Sequence, residues 1–429
     1  MATARHEPLA KHADSSGPRC LDRTESGCTL ASVHYDIVLF GATAFVGRLI
    51  AEYIARHPEG RKLSWAIAGR TPEKLRALRA SLVDADPEII VADTSDPASV
   101  DAMVSQARVI VTAAGPYAEY GGDVVVEACV RRGCHYADLS GEYWFQREMI
   151  DRFHDEAARA GVKIVVAAGI DSVPSDLGTQ FAIEQLDKRG QRAAQVKALF
   201  RDYAGSFSAG TNKTLETLAK LPESGDYDAT FCRDPYVLAP NADRKLENET
   251  ITGWDRPTFD PDFKAFGTPF FMAPINARIV RRSLALGGHL PCSYAEGLSL
   301  GAGLRAGWLW ISRGFGYFVG DPIPLSPKSG QGPPRWLREA GKFRVTLKAT
   351  SANGKHTAVV EVRGRGDPGY LATSKIVGEV GLCLAVDQEE LPQRGGVLTP
   401  ALAMGPVLRD RLCAAEGNRF MQFTGLTET

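Results

Sequence analysis

Arg70 and Lys74 stand one helical turn apart, just beyond an apolar stretch at 63–68, and two cations so placed suit a phosphate. The arginine presents a planar fork of donors, and the lysine adds a second charge. Upstream, Gly41-Ala-Thr-Ala-Phe-Val-Gly47 follows the apolar run 35–40 and opens an amphipathic run at 48–56. A strand, a glycine turn and a helix start in that order form the first unit of a dinucleotide-binding fold. Gly41 can take a backbone conformation closed to side chains. The N–H groups opening the helix face a pyrophosphate with the helix dipole behind them, and Gly47 lets the helix pack closely on the sheet. Thr43, Ala44, Phe45 and Val46 complete the turn. Ala44 departs from the pattern, because its methyl stands where a middle glycine usually lets the backbone approach the phosphate.

An NAD site would place Asp or Glu at the end of the second strand, to accept from the ribose 2′-OH. Here Gly69 and Arg70 stand there, so the 2′-phosphate of NADP(H) is the expected ligand. The third apolar run, 88–92, ends at Asp93, placed to contact the adenine amino group. The fourth, 108–114, ends in Ala114 and runs into Gly115-Pro116-Tyr117, which should pass near the nicotinamide. The catalytic candidates are Tyr117 and Asp171. Tyr117 would either donate to a developing enolate oxygen or stack by its ring. Asp138, Glu142 and Ser172 fall at strand ends on the same side, and Asn276 and Arg281 are candidate contacts for a substrate carbonyl or phosphopantetheine phosphate. No Ser-x-x-x-x-Tyr-x-x-x-Lys pattern or histidine constellation occurs. The eight cysteines lack zinc-ligand spacing, so no metal is expected.

The elements that must position these residues form an α/β protein. A length of 429 residues calls for two domains. Four apolar runs, each ending in small or polar residues, predict a Rossmann doubly wound parallel sheet over 35–190. A helix at 144–160 and strands at 136–139 and 163–168 belong to it. Residues 191–370 read as an inserted mixed α/β domain with an antiparallel sheet, for substrate and dimer contacts, in which 343–349 alternates as a strand should. Residues 371–429 read as C-terminal helices returning to the first domain, and 1–34 as a disordered tail. The segment 296–320, rich in aromatics and glycine, reads as a buried helix-loop. A lid, a dimer contact or a peripheral membrane contact are the other readings, and Arg305 and Arg313 argue against insertion across a bilayer.

Composition excludes some classes. Fifty Lys and Arg against 51 Asp and Glu leave no net field for nucleic acid. Scattered cysteines and the lack of a signal-like apolar stretch after Met1 point to a cytoplasmic protein. No run reaches the roughly 18 apolar residues of a spanning helix.

Several blocks then carry a resemblance. Gly41 to Gly47, Ala68-Gly-Arg-Thr71, Ala114-Gly-Pro-Tyr117, Cys134-His-Tyr-Ala-Asp-Leu-Ser-Gly-Glu142 and Gly169-Ile-Asp-Ser-Val-Pro-Ser-Asp-Leu-Gly178 resemble the saccharopine dehydrogenase-like oxidoreductases. Asp234-Pro-Tyr236, Met272-Ala-Pro-Ile-Asn276, Val280-Arg-Arg-Ser283 and Gly395-Gly-Val-Leu-Thr-Pro-Ala401 resemble its trans-acting enoyl reductase branch. The resemblance spans 35–420. It implies an NADP(H)-linked reduction of a carbon–carbon double bond, on a small-molecule or carrier-tethered acyl substrate of a polyketide or fatty-acid synthase, in lipid metabolism. A homodimer is the expected assembly. Two alternatives stay open: a saccharopine-type amino-acid dehydrogenase acting on a C–N bond, and a non-enzymatic NADP sensor or scaffold.

Overall fold

The computed structural model describes residues 34–205, 216–217, 227–243, 245–246, 249–301 and 332–428. The expected tail, apart from His34, and most of the 296–320 segment lie outside the described residues.

The first sheet is wholly parallel. Strands β1 (Tyr35–Phe40), β2 (Trp65–Gly69), β3 (Glu88–Val91), β4 (Ala107–Thr112), β5 (His135–Ala137) and β6 (Lys163–Val165) are ordered β3-β2-β1-β4-β5-β6, and a late strand, Gly396–Leu398, lies beyond β6. β1 is central, with Leu39 opposite Ile67 of β2 and Val111 of β4. Helices α1 (Phe45–Arg56), α2 (Pro72–Ser81), α3 (Pro97–Val104), α4 (Gly122–Arg132) and α5 (Tyr143–Ala160) follow the first five strands in turn. Strands buried on both faces need unbroken apolar runs, and Ile37, Val38 and Leu39 are fully buried. The order reverses between β1 and β4, so the crevice for a ligand opens at their carboxyl ends.

β5 and β6 are shorter than the apolar runs at 136–139 and 163–168 predict. Asp138 turns inward and accepts from the N–H of Ser140 and of Ala167, and Ala167 takes a positive φ of 55°. A buried carboxylate thus replaces ladder partners and ends both strands.

The second sheet contains β7 (Ala193–Ala204), β8 (Thr258–Asp260), β9 (Ala265–Thr268), β10 (Ser293–Ser299), β11 (Lys342–Ser351), β12 (Thr357–Arg365) and, counting the late strand of the first sheet as β13, β14 (Met421–Glu428). Its order is β14-β12-β11-β7-β10-β9-β8. It is mixed, because β7 and β10 run parallel while the other neighbours are antiparallel. The alternation at 343–349 is that of β11, whose Phe343, Val345, Leu347 and Ala349 are buried.

Helix α6 (Val173–Asp187) joins the two sheets. It starts at the carboxyl end of β6 and lies against the second sheet, where a side chain on Gly178 would meet Leu347 and Val362. The chain end serves both sheets. Helix Thr373–Val386 packs against α1 and β4, with Gly378 against Tyr53 and Gly381 against Val111, while β14 pairs with β12. With the turn before it, that helix is long and apolar enough to cross a membrane, yet 83% of its most apolar window is buried inside the protein. Its apolar character is that of a helix enclosed on all sides.

Candidate active site

At the switch point Gly41 has φ +72°, and a side chain there would come within 2.7 Å of the Ala114 nitrogen. The loops after β1 and β4 are therefore in contact, and only glycine fits between them. A side chain on Gly47 would strike the Gly41 carbonyl at 2.4 Å, so α1 is pressed onto its own loop. No side chain caps α1, and the N–H groups of its first turn are left for a ligand at the positive end of the helix dipole. These observations fit a dinucleotide pyrophosphate.

Gly69 ends β2, and Arg70 follows it, exposed at the rim. Lys74 projects from the first turn of α2. Neither cation has a hydrogen bond or ion pair among the described residues, whereas their neighbour Arg76 pairs with Glu73. Across the rim, Asp93 accepts from the N–H and hydroxyl of Ser95. Those bonds, with the charge of Arg70, hold its carboxyl below the ordinary range. Two unengaged cations beside the strand end are what a 2′-phosphate requires.

The loop after β4, with a cis Gly115–Pro116 bond, is clamped from below. Glu142 Oε1 accepts from the Tyr117 N–H at 2.9 Å and Oε2 from the Ala118 N–H at 2.9 Å. Glu142 is thus a structural clamp, and Asp138 pins its own loop. The Tyr117 hydroxyl corrects an expectation. It donates to the Thr112 carbonyl at 3.0 Å and accepts from the Leu139 N–H at 3.4 Å, while the ring stacks on Phe145 at 5.9 Å. Tyr117 is 4% exposed, and burial pushes its phenol far above the usual range. Its hydroxyl is committed to the backbone, so it has no free proton to offer an enolate.

Asp171 is different. It sits in the turn between β6 and α6, half-buried in the cleft wall, with no hydrogen-bond partner among the described residues. Burial alone pushes its carboxyl up to about 7. Beside it in the wall are Met272 and Ile275 from the start of helix Ala273–Leu286, and Pro368, Gly369, Tyr370 and Thr373 from a π-turn, Pro368–Ala372, and the helix it leads into.

The cleft measures about 460 Å³. It brings together Gly41, Thr43, Ala44, Phe45, Val46, Gly69, Arg70, Lys74, Asp93, Ala114, Gly115, Pro116, Tyr117 and Asp171; Gly47 lies behind, where it packs the helix. Arg48 and Tyr120 also line it, although no motif marks them beyond their closeness to Gly47 and to the loop after β4. The π-turn was equally unmarked, being remote in the chain. Asn276 and Arg281 are not in the cleft. Both are fully buried: Asn276 donates to Glu296 at 2.7 Å, and Arg281 donates to Glu249 and to the carbonyls of Thr250, Ile251 and Tyr294. Each is enclosed in the interior away from the cleft, where a substrate does not reach it.

Residues 37–165 match the model of the saccharopine dehydrogenase NADP binding domain. A putative trans-acting enoyl reductase of Mycobacterium tuberculosis is 39% identical over 411 residues, covering 89% of this chain and 96% of that protein. The chain belongs to the saccharopine dehydrogenase-like oxidoreductases, in the trans-acting enoyl reductase branch. A trans-acting enoyl reductase of Mycobacterium ulcerans is 34% identical, again covering 89% of this chain and 96% of its own. Among solved structures, apo saccharopine dehydrogenase (L-Glu forming) from Saccharomyces cerevisiae aligns over 91% of this chain and 99% of its own, with a TM-score of 0.51 and 14% identity. That likeness is one of fold. Membership in this family makes the chain an oxidoreductase with an NADP-binding domain.

Proposed function

We propose that this oxidoreductase uses NADPH to reduce the carbon–carbon double bond of an enoyl thioester, presented on a carrier of a polyketide or fatty-acid synthase. The observation that carries the reading is the contrast between the two ends of the cleft. Its cations, Arg48, Arg70 and Lys74, all belong to the loops and helices after β1 and β2. The wall around Asp171 offers Met272, Ile275, Pro368 and Tyr370, and no cation among the described residues. An amino-acid dehydrogenase must hold substrate carboxylates, and the described residues of this wall give them no cationic partner. An uncharged acyl chain suits it. The names of the relatives point the same way.

NADPH in this cleft would supply the hydride for the β-carbon of the enoyl group. The chain's own part is to bind, orient and protonate. Arg70 and Lys74 would hold the 2′-phosphate, and the first turn of α1 the pyrophosphate. Glu142 keeps the loop at 115–118 in place. The Asp171 carboxyl, which keeps its proton close to neutrality, would pass it to the α-carbon as the electron pair of the double bond collapses there, and would regain one from solvent.

The test is NADPH oxidation, followed by absorbance, with N-acetylcysteamine thioesters of 2-enoic acids beside 2-keto acids supplied with an amine donor. Turnover with the enoyl thioesters alone is expected. Turnover with the keto acids instead would overturn the reading, and binding of NADPH with no turnover of either class would favour a sensor.

A further inference from the structure

The turn that carries Asp171 is tied to a distant part of the chain through one hydroxyl. Thr373 Oγ1 accepts from the Ile170 N–H at 3.3 Å and donates to the Pro368 carbonyl at 2.9 Å. Thr373 is buried, and its Cγ2 lies 3.5 Å from where a side chain on Gly169 would begin. The π-turn below it is fixed in turn. The Asp367 carboxylate accepts from the Leu371 N–H at 3.1 Å, and the Ala372 N–H bonds back to the Asp367 carbonyl at 3.1 Å. Tyr370 of the same turn meets Phe45 of the glycine loop edge to face at 4.8 Å. One short segment thus touches both the loop that faces the pyrophosphate and the turn that bears Asp171.

We propose that Thr373 is a positioning residue for Asp171: its hydroxyl joins the 169–172 turn to the π-turn and keeps the Asp171 carboxyl within the cleft wall. The inference deepens the role proposed above for Asp171 and rests on it for any consequence in turnover. The joint uses both capacities of a hydroxyl at once, donor to a carbonyl and acceptor from an N–H. Valine has the shape of threonine and neither capacity. Serine keeps both.

Of the described titratable groups Tyr203 of β7 feels the Asp171 charge, and no charged neighbour offsets the effect of burial on the Asp171 carboxyl itself. What keeps the Asp171 proton in place is therefore exclusion of water by the turn, so loosening the turn hydrates the carboxyl and releases the proton at lower pH.

The experiment follows the Asp171 carboxyl by ¹³C NMR in aspartate-labelled protein without cofactor or substrate, with Asp171→Asn to assign the resonance. Wild type should titrate at about 7. Thr373→Val should lower the midpoint by about one unit or more, a tenfold weaker hold on the proton, and Thr373→Ser should stay within about 0.3 unit of wild type. Thermal melting checks that the valine variant folds, and Thr373→Ala takes its place if it does not. A Thr373→Val midpoint equal to wild type, or a Thr373→Ser midpoint moved as far as valine's, overturns the assignment. A midpoint that moves as expected in a protein that turns over no enoyl thioester supports Thr373 and sinks the proposed substrate, so the two readings fail separately.

Discussion

The Tyr117 hydroxyl and the Thr112 carbonyl lie 3.0 Å apart, and this bond turns the Tyr117 phenol, on the loop after β4, into the core. Tyr117→Phe should therefore act on stability. Leaving the buried Thr112 carbonyl and Leu139 N–H unmatched costs about 1–3 kcal/mol, read as a lower melting temperature. Turnover should escape the roughly 10²–10³-fold loss that follows removal of an oxyanion donor. A loss of that size with unchanged stability would mean that the hydroxyl swings into the cleft during reaction.

Asp171→Asn separates chemistry from stability. Without the proton donor, kcat should fall by roughly 10²–10⁴-fold, with NADPH affinity little changed. In wild type, kcat should decline as the pH rises through about 7, because the protonated carboxyl is the active form. Stability should fall over the same rise in pH. The folded protein holds this proton more tightly than the unfolded chain, so stability is lost as the pH rises from the ordinary carboxylate range through about 7. Because part of the side chain faces the cleft, the gain on substitution is on the order of 2 kcal/mol near pH 8 and vanishes near pH 4. Melting curves at the two pH values check it, and equal melting shifts at both would contradict the burial argument.

Arg70→Ala should cost a charge-assisted hydrogen bond worth roughly 1.5–3 kcal/mol, or about 10- to 150-fold in NADPH affinity. NADH, lacking the 2′-phosphate, should bind almost as before. Fluorescence titration with both cofactors decides, and equal weakening would remove Arg70 from the phosphate site.

Ala44 caps α1 with φ −63° and ψ 157°, a conformation open to any residue, so the backbone there does not need glycine. Its methyl still lines the cleft. Ala44→Gly should hold or tighten NADPH binding, while added freedom in the unfolded chain costs about 0.4–1 kcal/mol of stability. A large loss of affinity on calorimetric titration would mean that the methyl supports the cofactor.

Much of the nucleotide half of the site was legible from the sequence, and the reason is local. A strand, a glycine turn, a helix start and a cation at the next strand end are short-range patterns, and the topology of a parallel sheet dictates where they meet. Gly41, Arg70, Asp93 and Gly115 thus reach one cleft from their order in the chain alone. The alternation of β11 was equally plain, because burial on one face imposes a period of two. What the linear pattern could not determine was the direction of side chains and the meeting of remote segments. Tyr117 occupies the expected loop, but only packing against Phe145 and the bond to Thr112 decide that its hydroxyl points inward. Glu142 and Asp138 look like acids for catalysis until their backbone partners show them to be clamps. Asn276 and Arg281 look like ligands until their bonds with Glu296 and Glu249 appear. The wall around Asp171 comes from positions about a hundred and two hundred residues further on, in Met272, Pro368 and Thr373. No spacing rule joins them. They converge because α6 carries the chain from one sheet to the other and helix Thr373–Val386 returns to pack on α1, and it is this burial, not the identity of the aspartate, that raises the carboxyl and suits it to hold a proton.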